Sequence, residues 1–209
     1  HIRYIDRAMA LAESTRTFPE GSRFKWNIEV AWELERYLAQ AAPEQRERVA
    51  AAVRDGSLGL NALYTNTLTG IQRPEELLRT TAFARKFARE AGVPLTSAMI
   101  TDIPAYSWSL VTALGLAGVK YFSSGPNYMP QLPDGGDRIG HALRAWGDRP
   151  FYWTSSNGEH RVLMWMAGHG YSWFHGWVLG RLNLANPAPL FAYLEDLDSL
   201  KYPYDMIQL

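Results

Sequence analysis

The stretch Ser97-Ala98-Met99-Ile100-Thr101-Asp102-Ile103-Pro104-Ala105-Tyr106-Ser107-Trp108 decides how the rest of the chain is read. Small and apolar residues lead up to a lone carboxylate. Pro104 follows it, and Ser107 stands where it can cap a new helical pattern. This is the pattern of a buried strand over 95–101 that delivers Asp102 to its carboxyl end, just before a βα turn. In α/β folds successive βα loops converge on that edge, and active sites form there. An aspartate at such a place is also a common turn former, so its neighbours must decide between the two roles.

Working outward, the same rhythm repeats. Ile2, Ile5, Met9 and Leu11 lie among charges and predict an amphipathic helix over 2–17. Residues 24–29 read as a short strand and 30–42 as a helix with Trp32, Leu34, Tyr37 and Leu38 on its apolar side. Pro43 opens another helix and Gly56 stops it. A strand over 58–63 runs into the polar loop Tyr64-Thr65-Asn66-Thr67. Pro74 then starts one long helix with Leu77, Leu78, Phe83 and Phe87 as its buried stripe, closed by Gly92. After Asp102 come a helix over 107–115, a strand over 119–122, and a polar loop holding Asn127 and Tyr128.

From 129 to 149 the chain is rich in Pro, Gly and Asp and reads as irregular. Two apolar runs, 151–154 and 162–165, flank Asn157-Gly158 and predict a β-hairpin. Residues 187–200 read as helix and 204–209 as strand. Strands alternating with helices imply a largely parallel sheet in a single domain over 1–209. The series opens on a helix and closes inside an apolar strand, so the expectation is an internal piece lacking its first strand.

Composition narrows the function. In 209 residues Lys plus Arg equals Asp plus Glu at 21 each, so no net field favours nucleic acid or an anionic membrane. No apolar run reaches the ~20 residues of a membrane span, and no targeting segment is visible; the compartment stays open. Without cysteine there are no disulfides or thiolate metal sites. Eight Trp and eleven Tyr are more telling, with most of the Trp lying in 146–177. Such rings suit sugar recognition as well as a ring-rich core.

Four loops bring polar groups to the predicted carboxyl edge: Asn27 with Glu29, Tyr64 with Asn66, Asp102 with Tyr106, and Asn127 with Tyr128. Glu29 is either a catalytic acid or a carboxylate answering a helix dipole. Tyr64, Asn66, Asn127 and Tyr128 are candidates to bind substrate; the two asparagines can hold its hydroxyls or simply form turns. His141 and His160 fall in segments read as exposed and inert. His169, Tyr171, Trp173 and His175 share a glycine-flanked aromatic loop able to wrap a sugar ring. No His-x-x-x-His or His-x-Asp spacing makes a self-sufficient metal site, and no nucleophile elbow suggests a serine triad.

Taken in order, Trp26-Asn27-Ile28-Glu29, Asp55-Gly56-Ser57-Leu58, Thr101-Asp102-Ile103-Pro104 and Gly118-Val119-Lys120-Tyr121 resemble the N-terminal catalytic domain of glycoside hydrolase family 38, the α-mannosidases. Phe151-Tyr152-Trp153, Asn157-Gly158 and Arg161-Val162-Leu163 resemble that family's aromatic hairpin, so the likeness spans most of 1–190. It implies an irregular (β/α)7-type barrel, one zinc ion and retaining hydrolysis of α-mannosides or related glycans. At the position of Asp102 the family has an aspartate that is both nucleophile and zinc ligand. The remaining zinc ligands, a His-x-Asp strand and a late histidine, are expected outside this segment, and the segment alone is expected to be inactive. Where the family has Asp-Pro-Phe-Gly-His-Ser this chain has Asp102-Ile103-Pro104-Ala105-Tyr106-Ser107, a departure that marks a distant branch and leaves the detailed substrate preference open. The expected partners are an oligosaccharide or glycoside substrate and the rest of the same polypeptide. Two other readings stand beside it: a metal-dependent polysaccharide deacetylase, and a carbohydrate-binding domain that has kept an aromatic cleft without catalysis.

Overall fold

The structure, a computed structural model, describes residues 2–103, 106–125, 149–167 and 188–207. Helix α1 (Ile2–Ser14) buries Ile5, Ala8 and Met9, while Leu11 is exposed. Strand β1 (Trp26–Asn27) leads to α2 (Ala31–Gln40) and α3 (Pro43–Arg54), then β2 (Leu58–Gly59). Both strands are shorter than the apolar runs that predict them. Pro43 does stand in the first turn of α3, where Gln45 accepts the Ala42 N–H at 2.9 Å, and Gly56 follows with φ +78°. On α2, Leu34 and Tyr37 are buried but Trp32 is exposed, contrary to its expected place on the apolar side.

The predicted long helix is two, α4 (Pro74–Arg79) and α5 (Ala82–Ala91). The break falls at Thr80-Thr81. Thr81 is buried, its hydroxyl turns back to the Leu78 carbonyl at 3.4 Å, and Leu78 is left exposed. Gly92 closes α5 at φ +72°, with Val93 N–H reaching the Ala88 carbonyl at 2.9 Å.

Strand β3 (Ser97–Thr101), helix α6 (Ser109–Leu116) and strand β4 (Tyr121–Gly125) follow. Ser107 lies two residues ahead of α6 rather than capping it; its N–H binds the Thr69 hydroxyl at 2.7 Å. The hairpin of β5 (Phe151–Thr154) and β6 (Arg161–Met166) turns at Asn157-Gly158 as read, with Gly158 at φ +76°. His160 is half-buried rather than exposed: a Cβ on Gly115 of α6 would lie 2.7 Å from its ring. Only glycine lets α6 come so close to the hairpin.

Helix α7 (Ala188–Ser199) matches expectation, but the described residues 204–207 form no strand. Lys201 turns left-handed at φ +53° and Pro203 lacks an N–H for a ladder. Tyr204 instead packs its ring on Trp165, 6.1 Å between centroids. No helix among the described residues is long and apolar enough to cross a membrane.

Strand β1 pairs parallel with β2, and β3 with β4 and β4 with β6 likewise; β5 alone runs antiparallel, on the edge beside β6. The two ladders are joined by the segment after β2. Ala62 N–H binds the Ser97 carbonyl at 3.0 Å, and the Asn61 side chain accepts the Met99 N–H at 3.0 Å and donates to the Met99 carbonyl at 2.9 Å. A side-chain amide thus takes the place of a backbone peptide in the ladder. The order is β1-β2 in one ladder and β3-β4-β6-β5 in the other, so the parallel strands follow chain order and β5 turns back along the edge. The result is a mostly parallel α/β sheet. The described residues do not close it; β1 and β5 are the ends.

Two cores lie against the sheet. Ile5, Ile28, Leu34, Val49 and Leu58 centre the first, among α1, α2, α3 and the short strands. Ala98, Ile100, Leu110, Leu114, Phe122 and Val162 centre the second, between α6 and the four-stranded sheet. Strand alternation explains the second: every other residue of β3 is buried beneath the helices, leaving Met99 and Thr101 on the opposite face.

Candidate functional site

Because the strands are parallel, the loops after β1, β2 and β3 meet at one edge. Gly59 permits the tight start of this convergence, since a Cβ there would fall 1.9 Å from Asn27 Oδ1. Asn61 then fixes the loops. Besides its ladder bonds it donates to the Glu29 carbonyl and accepts the Leu63 N–H at 3.0 Å. The amino end of α2 docks on the same loop, with Ala31 and Trp32 N–H groups on the Leu63 and Tyr64 carbonyls at 2.9 and 3.0 Å.

The Glu29 carboxylate therefore does not serve the start of α2, which no side chain caps. Its Oε1 accepts the Thr101 hydroxyl at 2.8 Å and the Asn66 amide at 2.9 Å, and that amide also lies 3.4 Å from the Thr101 hydroxyl. One carboxylate thereby ties together three βα loops. Asn66 Oδ1 is buried with no hydrogen-bond partner.

Asp102 follows Thr101 directly, at the edge the sequence assigns to it. It adopts φ +59°, a left-handed turn that an aspartate tolerates better than most residues. Its N–H binds the Gly125 carbonyl at the end of β4 at 2.8 Å, and the residue is exposed. Its backbone is thus held where β3 and β4 end.

The other predicted residues divide. Tyr64 reaches the edge, but its hydroxyl donates to Glu35 on α2 at 2.5 Å, and that bond raises the phenol above its usual range. Tyr106 bonds Ser124 and meets the Phe122 ring edge-on at 5.6 Å, so it packs behind the edge. Asn127, Tyr128, His169, Tyr171 and Trp173 lie outside the described residues, as do His141 and His175. Among the described residues no group of three or more His, Cys, Asp or Glu could hold a metal ion.

Sequence reasoning missed Asn61, Thr101 and Trp165. A lone polar residue inside Leu58-Gly59-Leu60-Asn61-Ala62-Leu63 is a visible signal, since a buried amide must be satisfied. Thr101 carries no comparable mark. Trp165 reads as one apolar hairpin residue, yet its indole Nε1 is buried without a partner.

Behind this edge Glu33 is buried on α2, and its carboxyl is raised, first by burial and then by the charge of Glu29. A folded-state value above the unfolded one contributes stability that is complete below the unfolded value and is lost as pH rises through the folded one. Glu33→Gln should therefore leave stability near pH 3 unchanged and raise it at pH 7. Denaturant midpoints at the two pH values check this; a variant equally stable or weaker at pH 7 contradicts it.

No family model matches the sequence, and no curated protein matches it either. Among solved structures, the fold is similar to an alpha-mannosidase from Enterococcus faecalis V583, with TM-score 0.59 and 19% identity, covering 82% of this chain and 18% of that one. It is similar to a glycosyl hydrolase family 38 protein from Enterococcus faecalis, with TM-score 0.58 and 15% identity over 98% of this chain and 20% of the other. A 4-alpha-glucanotransferase from Thermococcus litoralis gives TM-score 0.59 and 17% identity, covering 94% and 29%. The chain thus corresponds to less than a third of each and shares a distant fold with them, the family 38 protein among them.

Proposed function

We propose that this chain forms part of the catalytic domain of a retaining glycoside hydrolase acting on α-mannosides or related glycans, with Asp102 as its nucleophile. The observation that carries the reading is the placement of Asp102: exposed, on a left-handed turn, at the carboxyl end of a central parallel strand. The fold shared with an alpha-mannosidase supports the same reading. So does the consecutive strand order, which suits an irregular (β/α)7-type barrel completed by residues beyond those described.

In this reaction the Asp102 carboxylate attacks the anomeric carbon as the glycosidic bond breaks, and a general acid protonates the departing oxygen. The glycosyl ester so formed is then hydrolysed by water, returning Asp102 as carboxylate with overall retention. Glu29 holds Thr101 through a hydrogen bond and thereby steadies the turn that aims the nucleophile. Asn66, Asn127, Tyr128 and the loop of His169, Tyr171 and Trp173 are proposed to receive the sugar, and Tyr64 to buttress Asn66's loop.

Zinc belongs to the proposal only in part. Asp102 is one oxygen donor of the right chemistry, but the described residues do not supply a set that fits the ion. Further ligands must come from outside the described residues.

The test is hydrolysis of 4-nitrophenyl α-mannoside by the intact protein, followed by proton NMR. Release of the α-anomer first supports the reading; release of the β-anomer excludes a retaining route. Sugar binding without turnover favours a carbohydrate-binding domain instead.

A further inference from the structure

Strand alternation gives β1 two different faces. Trp26 and Ile28 turn into the first core, so Asn27 between them belongs to the opposite face, the one that Met99, Thr101 and Ser123 share on β3 and β4. A cavity of about 560 Å³ opens on that face, a usual size for a small-molecule site. Its wall includes Asn27, Thr101, Ser123, Leu163, Trp165 and Met206, and Thr101 is the residue before Asp102. Asn27 is exposed, and its carboxamide has no hydrogen-bond partner among the described residues. Beside it the Glu29 carboxylate, the Thr101 hydroxyl and the Asn66 amide are taken up by one another.

What stands opposite Asn27 sets the place of its amide. Asn27 pairs in register with Gly59, where a Cβ would lie 1.9 Å from Asn27 Oδ1 and 3.0 Å from its Cγ. Gly59 is not one of the glycines with positive φ, so here the missing side chain serves the amide rather than a turn. A carboxamide offers an accepting oxygen and a donating nitrogen side by side. Two neighbouring hydroxyls on a sugar ring answer that pattern, one donating and the other accepting. Leu163 and Met206 add the apolar surface that the CH groups of such a ring need.

We infer that Asn27 is a specificity-determining residue for the sugar: its carboxamide, laid over Gly59, binds a pair of neighbouring ring hydroxyls in this cavity. The inference rests on the carbohydrate reading above but not on catalysis.

The test is calorimetric titration of the intact protein with methyl α-mannoside, in wild type, Asn27→Ala, Gly59→Ala and the double variant. Asn27 is exposed, and a methyl group on Gly59 meets the end of a side chain that can swing aside, so melting temperatures should hardly change. Each single variant should bind on the order of 10-fold more weakly, the loss of one or two hydrogen bonds. The double variant should bind no more weakly than Asn27→Ala, because the methyl group acts only through the amide it displaces. Unchanged affinity in Asn27→Ala overturns the inference, and so does a double variant in which the two losses add. Should Gly59→Ala fail to fold, Asn27→Asp decides in its place: it keeps the acceptor and loses the donor, and unchanged affinity there also overturns the inference. Hydrolysis by the wild type, with affinity untouched in Asn27→Ala, removes this inference alone. Weaker binding in the variants without hydrolysis by the wild type leaves it standing and removes the hydrolase. A wild type that neither binds nor hydrolyses the mannoside overturns both.

Discussion

Asp102→Asn should lower turnover of an aryl α-mannoside by the intact protein on the order of 10³-fold or more, because groups acting as one catalytic unit fail together. The fold should barely notice. Its backbone is held by the N–H bond to Gly125 at 2.8 Å and by the left-handed turn at φ +59°, which asparagine adopts as readily as aspartate. The exchange therefore removes a negative charge and a nucleophile from an exposed position while keeping the shape. Glu29→Gln should cost less, since an amide oxygen still accepts the Thr101 hydroxyl. Steady-state kinetics with thermal melting of both variants checks the pair. Turnover by Asp102→Asn within a few-fold of wild type removes the nucleophile assignment.

The second large effect falls on stability. Asn61→Leu has nearly the right volume, but it strips partners from the Met99 N–H and carbonyl, the Leu63 N–H and the Glu29 carbonyl at one stroke. The site is buried, so water replaces few of these bonds. At about 1–3 kcal/mol for each stranded group, and allowing for partial relaxation, the expected loss is on the order of 4 kcal/mol. Asn61→Asp fares little better: it keeps the two accepting bonds, loses the two donating ones and brings a charge into the interior. Denaturant unfolding of both variants against wild type measures this. A loss below about 1 kcal/mol for Asn61→Leu shows that the two ladders do not depend on the amide.

The apolar runs and their punctuation carry much of this architecture openly. Asn157-Gly158 between two apolar tetrads is the hairpin turn, Pro43 starts a helix and Gly92 ends one, and the run before Asp102 is β3. Each of these depends on neighbours within a few positions. What stayed hidden depends on distant ones. The break at Thr80-Thr81 follows from Thr81 being drawn into the interior, and Tyr204 packs on Trp165 instead of joining a ladder. Strand β2 stops at Gly59 because the next polar group, Asn61, pairs through its side chain. Placing Asp102 at the carboxyl edge needed only the strand pattern. The hydrogen bond from Thr101 to Glu29 spans 72 residues of sequence, and no local spacing announces it. From its immediate neighbours alone Glu29 reads as a helix-start carboxylate, because its partners Asn66 and Thr101 lie far along the chain.

The most direct test of the nucleophile is to trap it. A mannosyl fluoride carrying a second fluorine on the ring forms the glycosyl ester, with fluoride as leaving group, faster than water can release it. Mass spectrometry of the digested intact protein then locates the added sugar. The account predicts one added fluoromannosyl group on the peptide containing Asp102, absent from Asp102→Asn. A label on any other carboxylate, or none from a protein that turns over the unmodified substrate, contradicts it.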